Sequence, residues 1–248
     1  MFPCLKDNYG FLLHDPDTGE TAAIDTPDAA QILAEAKAKG WTITQVWNTH
    51  WHPDHAGGNA EIVQKTGAQV YGPQEVDRLG AAPDRVLHEG DTVKLGSVTA
   101  QVQETPGHTL GHIVYHLPDD HIAFVGDTLF ALGCGRLFEG TPDQMWTSLS
   151  KLRALPDDTT VYCAHEYSEA NAKFALSVDA GNRDLIAYAD DITAKRSRGE
   201  PTVPTTIRLE KRANPFLRAD DPNLQAFVGH PGETVATFAE VRERKNNF

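Results

Sequence analysis

A chain of 248 residues, 40% of them hydrophobic, has the length for one large domain or for a domain with a smaller companion, and enough apolar residues for a buried core. Its formal net charge of −13 argues against nucleic acid as a partner, and no apolar run in it is long enough to span a bilayer. Cys4, Cys134 and Cys163 are odd in number and form no CxxC pair, which suits a reducing cytoplasm better than a disulfide scaffold.

The N-terminal MFPCLKDNYGFLL lacks a basic region followed by a long apolar run, so no secretory signal is expected. GFLLH and TAAID read as paired strands around the turn DPDTG, and DAAQILAEAKAKG as an amphipathic helix stopped at Gly40. TQVWNTH is a β-rich run entering the densest motif of the chain, THWHPDHAGGN, with GNAEIVQKTG as a short helix and AQVYG as a strand beyond it. SVTAQVQETPGH, HIVYHL and HIAFVGD come next as strands, each ending near a His, Gly or Asp. TPDQMWTSLSKLRALP is predicted to be a helix with Thr141 as N-cap and Pro142 in its first turn, and TTVYCAHEY is the last strong strand. Beyond about residue 168 the texture turns helical, in two segments broken near Gly181. EPTVPTTI then excludes helix, and GETVATFAEVRERKNNF closes the chain as a final helix. The expected organisation is a mixed α/β domain over residues 1–167 and a small helical domain over 168–248.

His50, His52, Asp54 and His55 fall within six residues. Side chains two apart in a strand point the same way, so His50 and His52 are expected to leave the end of TQVWNTH together as a ligand pair. Pro53 then ends the strand and turns Asp54 and His55 in another direction, while Gly57 and Gly58 let the backbone pass close. This reads as two half-sites for two ions. His108 in TPGHT, Asp127 after IAFVG and His165 after TTVYCA lie at strand ends before loops, where α/β enzymes collect site residues. Imidazoles with carboxylates suit two divalent ions, zinc first, with iron or manganese as alternatives. His14, His88, His116, His121 and His230 have no partner motif and read as structural or surface residues. His112 is a candidate to support the ligands from behind, and Cys134, between two glycines, reads as a tight-turn residue.

The succession HxHxDH, TPGHT, GDT and a late His resembles the metallo-β-lactamase superfamily, which implies an αββα sandwich. It also implies His50, His52 and His108 on one ion, Asp54, His55 and His165 on the other, and Asp127 bridging both. Along essentially the whole chain the finer resemblance is to the hydroxyacylglutathione hydrolases, or glyoxalase II enzymes. GCGRLFEGT resembles their glutathione loop, which implies substrate contacts from Arg136 and Phe138. Phe138 stands where the family often has Tyr, and offers no hydroxyl. HEY implies a contact from Tyr167, and the terminal VRERKNNF implies that Arg242 and Lys245 grip glutathione carboxylates. That role fits the charge distribution: residues 195–248 carry 10 Lys+Arg against 7 Asp+Glu, net +3, whereas residues 1–194 carry 12 against 28, net −16.

The activity so implied is cleavage of S-(2-hydroxyacyl)glutathione, such as S-D-lactoylglutathione, to glutathione and D-lactate, the second step of methylglyoxal detoxification. A metal-bridging hydroxide is the expected nucleophile, with Asp54 orienting it, in a monomeric cytoplasmic enzyme whose partner is its small-molecule substrate. A lactonase or esterase of the same superfamily would lack the basic helical end, and a persulfide dioxygenase would use a single iron.

Overall fold

The structure, a computed structural model, describes residues 1–80 and 82–248. It divides into two compact units, one of Met1–Glu104 with Gly111–Gly126, the other of Thr105–Leu110 with Asp127–Phe248.

The first unit is built on strands. β1 (Phe2–Cys4), β2 (Asn8–His14), β3 (Thr21–Ile24), β4 (Gln45–Trp47), β5 (Gln69–Gly72) and β6 (Arg85–Val86) form one sheet in chain order. Its first three strands run antiparallel, and β3 to β6 run parallel, because the connections from β3 to β5 carry helices α1 (Ala29–Ala38), α2 (Pro53–Ala56) and α3 (Asn59–Thr66). Asp28 caps α1 by accepting from the Gln31 amide. The apolar stripe of α1, with Ile32 and Ala36, packs with Ile62 of α3 against Ala23, Val46 and Val70 of the sheet. β7 (Thr92–Leu95), β8 (Val98–Glu104), β9 (Ile113–Leu117) and β10 (Ile122–Gly126) form an antiparallel meander. This meander faces the first sheet through Phe124 against Phe11 at 5.6 Å and Tyr115 against Trp47 at 5.3 Å between ring centroids. Trp47 and Tyr115 are fully buried, and burying a large apolar side chain contributes about 1.5–3 kcal/mol. The Tyr115 hydroxyl keeps a partner by donating to the Asn48 carbonyl at 2.7 Å. Two sheets face to face with helices on an outer surface are the expected sandwich.

The second unit is mainly helical. β11 (Leu129–Phe130) and β12 (Gly133–Cys134) make a small hairpin. α4 (Pro142–Arg153) begins with the predicted cap, in which Thr141 and Gln144 exchange side-chain to backbone hydrogen bonds. β13 (Thr160–Cys163) pairs with the two-residue β14 (Thr205–Thr206), so the Pro-rich stretch contributes a short strand, and only its last residue, Ile207, is helical. α5 (Ser168–Val178) and α6 (Arg183–Ser197) flank the predicted break at Gly181. α7 (Ile207–Ala213), α8 (Pro222–Val228) and α9 (Thr234–Asn246) complete the unit. α7 and α8 carry no strong periodicity of their own. Thr206 and Asp221 cap them, and packing rather than propensity holds such seven-residue helices.

Glu210 of α7 is fully buried, and burial pushes its carboxyl up to about 7 against the hydrogen bonds it accepts from Thr205, Leu132 and Asn214. Its folded pKa therefore lies above its unfolded one. The stability it contributes is complete below pH 4.5 and is lost as pH rises through about 7. Glu210→Gln does not titrate, so its stability relative to wild type should improve by about 3 kcal/mol between about pH 4.5 and about pH 8. Paired denaturant melts across that range would show it; a constant difference would contradict it.

Candidate metal centre

The THWHPDHAGGN motif lies in the first unit, but on a different backbone from the one expected. β4 stops at Trp47, and residues 48–52 are irregular. His52 is the N-cap of α2, with Pro53 in the first helical position. Pro53 thus starts a one-turn helix instead of ending a strand, because its fixed φ suits that position. Asp54 and His55 lie on that helix. The two side chains are adjacent nonetheless: His50 Nε2 lies 3.0 Å from His52 Nδ1.

Buried polar contacts impose the loop's shape. The Asn48 amide donates to the Tyr71 carbonyl, and the Asn48 side chain donates to the His55 carbonyl at 3.0 Å and accepts from Asn59 at 2.7 Å. Gly58 passes so close to Thr26 that a Cβ there would lie 2.6 Å from its carbonyl oxygen. Asp25, at φ +56 just after β3, sits beneath the ligands. It accepts from the Thr49 amide at 2.7 Å, the Thr49 hydroxyl at 2.8 Å and His55 Nδ1 at 2.8 Å.

These bonds fix tautomers. A carboxylate only accepts, so His55 Nδ1 carries the proton and Nε2 offers a lone pair. The Thr49 hydroxyl donates to Asp25 and can then accept from His50 Nδ1 at 3.0 Å, which leaves His50 Nε2 unprotonated. This is the arrangement in which a second layer orients metal-binding imidazoles. Asn8 donates to Asp54 Oδ2 at 3.1 Å, and His112 stacks on His50 at 4.8 Å between ring centroids, as a supporting group should.

Within the second unit, His108, Asp127 and His165 are all buried. His108 Nδ1 donates to the Arg136 carbonyl at 2.8 Å, so its Nε2 is the unprotonated nitrogen. That Nε2 lies 3.3 Å from Asp127 Oδ2, while His165 Nε2 lies 3.4 Å from Asp127 Oδ1. Each oxygen of one carboxylate thus faces a different imidazole. The donors are all nitrogen and oxygen, and the three cysteines are free and buried. The residues fit hard or borderline divalent ions such as zinc, iron or manganese.

Of the residues read as substrate contacts, Arg136 and Phe138 are exposed, Phe138 lying edge-on to His108 at 5.3 Å. Tyr167 stacks flat on His165 at 4.6 Å. Arg242 is buried: its Nη1 donates to the Cys134 carbonyl at 2.9 Å, its Nε to Asn246, and its guanidinium lies over Phe216. Lys245, half-buried, donates to the Ala170 carbonyl at 3.1 Å and lies over Phe174 and Phe248. Asp25, Thr49 and Asn8 support ligands and were not expected. The one local sign of Asp25 was a carboxylate directly after the apolar run TAAI. Among the described residues, no helix is long and apolar enough to cross a membrane.

The metallo-beta-lactamase superfamily model matches residues 17–165, and the model for the hydroxyacylglutathione hydrolase C-terminus matches residues 166–248. Relatives named hydroxyacylglutathione hydrolase include one of Erythrobacter litoralis, 63% identical over all of this chain and 98% of its own, and one of Maricaulis maris, 60% identical over all of this chain and 97% of its own. Among solved structures, ETHE1 from Myxococcus xanthus is 28% identical with a TM-score of 0.69, covering 96% of this chain and 86% of that one. TTHA1623 in a di-iron-bound form is 26% identical with a TM-score of 0.61, covering 85% of this chain and 95% of that one. With its αββα sandwich, its helical C-terminal region and these matches end to end, the chain belongs to the hydroxyacylglutathione hydrolase family of the metallo-β-lactamase superfamily.

Proposed function

We propose that this chain is a thiolester hydrolase that cleaves S-(2-hydroxyacyl)glutathione, S-D-lactoylglutathione foremost, to glutathione and a 2-hydroxy acid, the second step of methylglyoxal detoxification. The observation that carries the proposal is the Asp127 carboxylate set between the Nε2 atoms of His108 and His165, a geometry suited to sharing two ions. The proposed ligands are His50, His52 and His108 for one ion and Asp54, His55 and His165 for the other, with Asp127 common to both. Zinc is the proposed metal, with iron or manganese as alternatives. Bound divalent ions would acidify water towards neutrality and polarise the thioester carbonyl.

The chain's own residues do the rest. Asp25 and the Arg136 carbonyl hold His55 and His108 in the tautomers that leave Nε2 unprotonated. Asp54, steadied by Asn8, would orient the attacking water. Tyr167 and Phe138 would present ring faces to the substrate, and Arg136, Arg242 and Lys245 would supply cations for an anionic substrate on an acidic protein. Arg242, with Nη1 and Nε engaged, would offer Nη2. The lowered pKa of Lys245 supports this, since burial and the neighbouring Arg242 bring it down to about 8, as befits two cations awaiting an anion. The proposed catalytic domain is residues 1–167, and the proposed glutathione-binding helical domain is 168–248. The proposed form is a monomeric cytoplasmic enzyme, in keeping with three buried thiols pushed up to about 11 or 12 mainly by burial.

The test is steady-state kinetics of the metal-loaded protein on S-D-lactoylglutathione and on a small thioester lacking glutathione. Charge-assisted hydrogen bonds contribute about 1.5–3 kcal/mol each, so two of them predict a kcat/KM preference of at least about a hundredfold for the glutathione substrate. Equal rates on both would leave a metallohydrolase of other specificity.

A further inference from the structure

The β11–β12 hairpin of the second unit is held by its backbone. The Phe130 and Gly133 carbonyls accept from the Asn214 side chain at 3.2 and 3.0 Å, the Ala131 carbonyl from Asn171 at 3.1 Å, and the Cys134 carbonyl from Arg242 at 2.9 Å. The Leu132 amide donates to Glu210 Oε2 at 2.9 Å. Leu132 has φ +56, a left-handed conformation that a branched side chain adopts only where its surroundings impose it. Glu210 also accepts from Thr205 at 2.7 Å through Oε1 and from Asn214 at 2.9 Å through Oε2. It therefore fixes the turn amide directly, and through Asn214 it fixes the carbonyls on either side.

The residues directly beyond β12 reach the proposed metal ligands. Gly135 comes so close to Asp127 that a Cβ there would lie 2.1 Å from the Asp127 carbonyl oxygen. The next residue, Arg136, supplies the carbonyl that orients His108, and the Phe138 amide donates to the His108 carbonyl at 3.3 Å. A shift of the hairpin would displace the Arg136 carbonyl, the Phe138 ring and the backbone at Asp127 together.

We propose that Glu210, acting through Leu132 and Asn214, is a positioning residue for the thioester hydrolysis, holding the hairpin that sets the His108-orienting carbonyl and the Arg136–Phe138 loop. This rests on the proposed activity toward glutathione thioesters. Glu210 touches neither metal ligand nor substrate contact. Its shape matters more than its charge: in Glu210→Gln the amide oxygen can still accept from Leu132 and Asn214 while the NH2 donates to Thr205. Glu210→Ala removes all three bonds, and Glu210→Asp, one methylene shorter, cannot span Leu132 and Thr205 together.

The experiment compares these three variants with wild type in the metal-loaded full chain, reading KM and kcat on S-D-lactoylglutathione, metal content after dialysis, and thermal midpoint. Glu210→Gln should stay within about threefold of wild type in KM. Glu210→Ala should raise KM at least about tenfold and retain less metal. Glu210→Asp should raise KM at least about fivefold, and decides the matter if the alanine variant does not fold. Folded aspartate or alanine variants with wild-type KM and metal retention would overturn the proposal, as would a glutamine variant no better than alanine. Failure of the proposed substrate class is separate: it would show as a wild-type protein with no preference for the glutathione thioester.

Discussion

Replacing Asp127 by alanine should strip most of the metal from both positions at once. Each Asp127 oxygen faces the donor nitrogen of a different histidine, at 3.3 and 3.4 Å, so one side chain would serve both sides. Loss of residues that merely support a ligand lowers metal affinity about 10–100-fold, and a shared ligand should cost more at each position. Elemental analysis after dialysis should find about two ions per wild-type chain and well under one in Asp127→Ala, with kcat/KM down at least about a thousandfold. Asp127→Asn keeps one carbonyl oxygen and should fall between them. Two ions retained by the alanine variant would refute the shared-ligand geometry. A single ion in fully active wild type would refute the dinuclear centre and favour a mononuclear oxygenase reading.

The candidate ligands were legible because spacing carries chemistry: HxHxDH, TPGHT and GDT keep their meaning whatever backbone bears them. The backbone itself was not. Alternation put His50 and His52 on a strand, whereas β4 ends at Trp47, and the Thr49 amide donates to the Asp25 side chain instead of a strand. The cap at Thr141 was readable because it acts within one turn. Asp25 and the bond from Leu132 to Glu210 were not, since those partners lie 24 to 78 residues apart and no local pattern links them. Arg242 stood out as a candidate cation for substrate, but not as the donor that holds the Cys134 carbonyl, for the same reason. α7 and α8 escaped because each spans only seven residues, too few for a period to declare itself.

Lys245 offers the sharpest test of the substrate class, because Arg242→Ala would also release the Cys134 carbonyl. Burial first, and then Arg242, bring the Lys245 pKa from 10.5 down to about 8. A lysine whose folded pKa is depressed contributes stability that is present above pH 10.5 and lost as pH falls through about 8. At pH 7 the charged ammonium therefore burdens the free protein, and Lys245→Ala should melt no lower than wild type there. A bound glutathione carboxylate would offset that burden and raise the pKa again, so binding above pH 8 should take up a proton. KM for S-D-lactoylglutathione should accordingly climb in wild type as pH rises through about 8. In Lys245→Ala it should already be raised about ten- to a hundredfold at pH 7 and should lack that inflection. The change should fall on KM more than on kcat, because a contact far from the reacting carbon binds ground and transition states alike. Metal content should not move, and a thioester without glutathione should respond to neither the substitution nor this pH step. An unchanged KM at pH 7, or an equal loss on both substrates, would remove Lys245 from the glutathione site and leave it a solvated residue of a terminal helix, where exposed charges contribute about 0–1 kcal/mol.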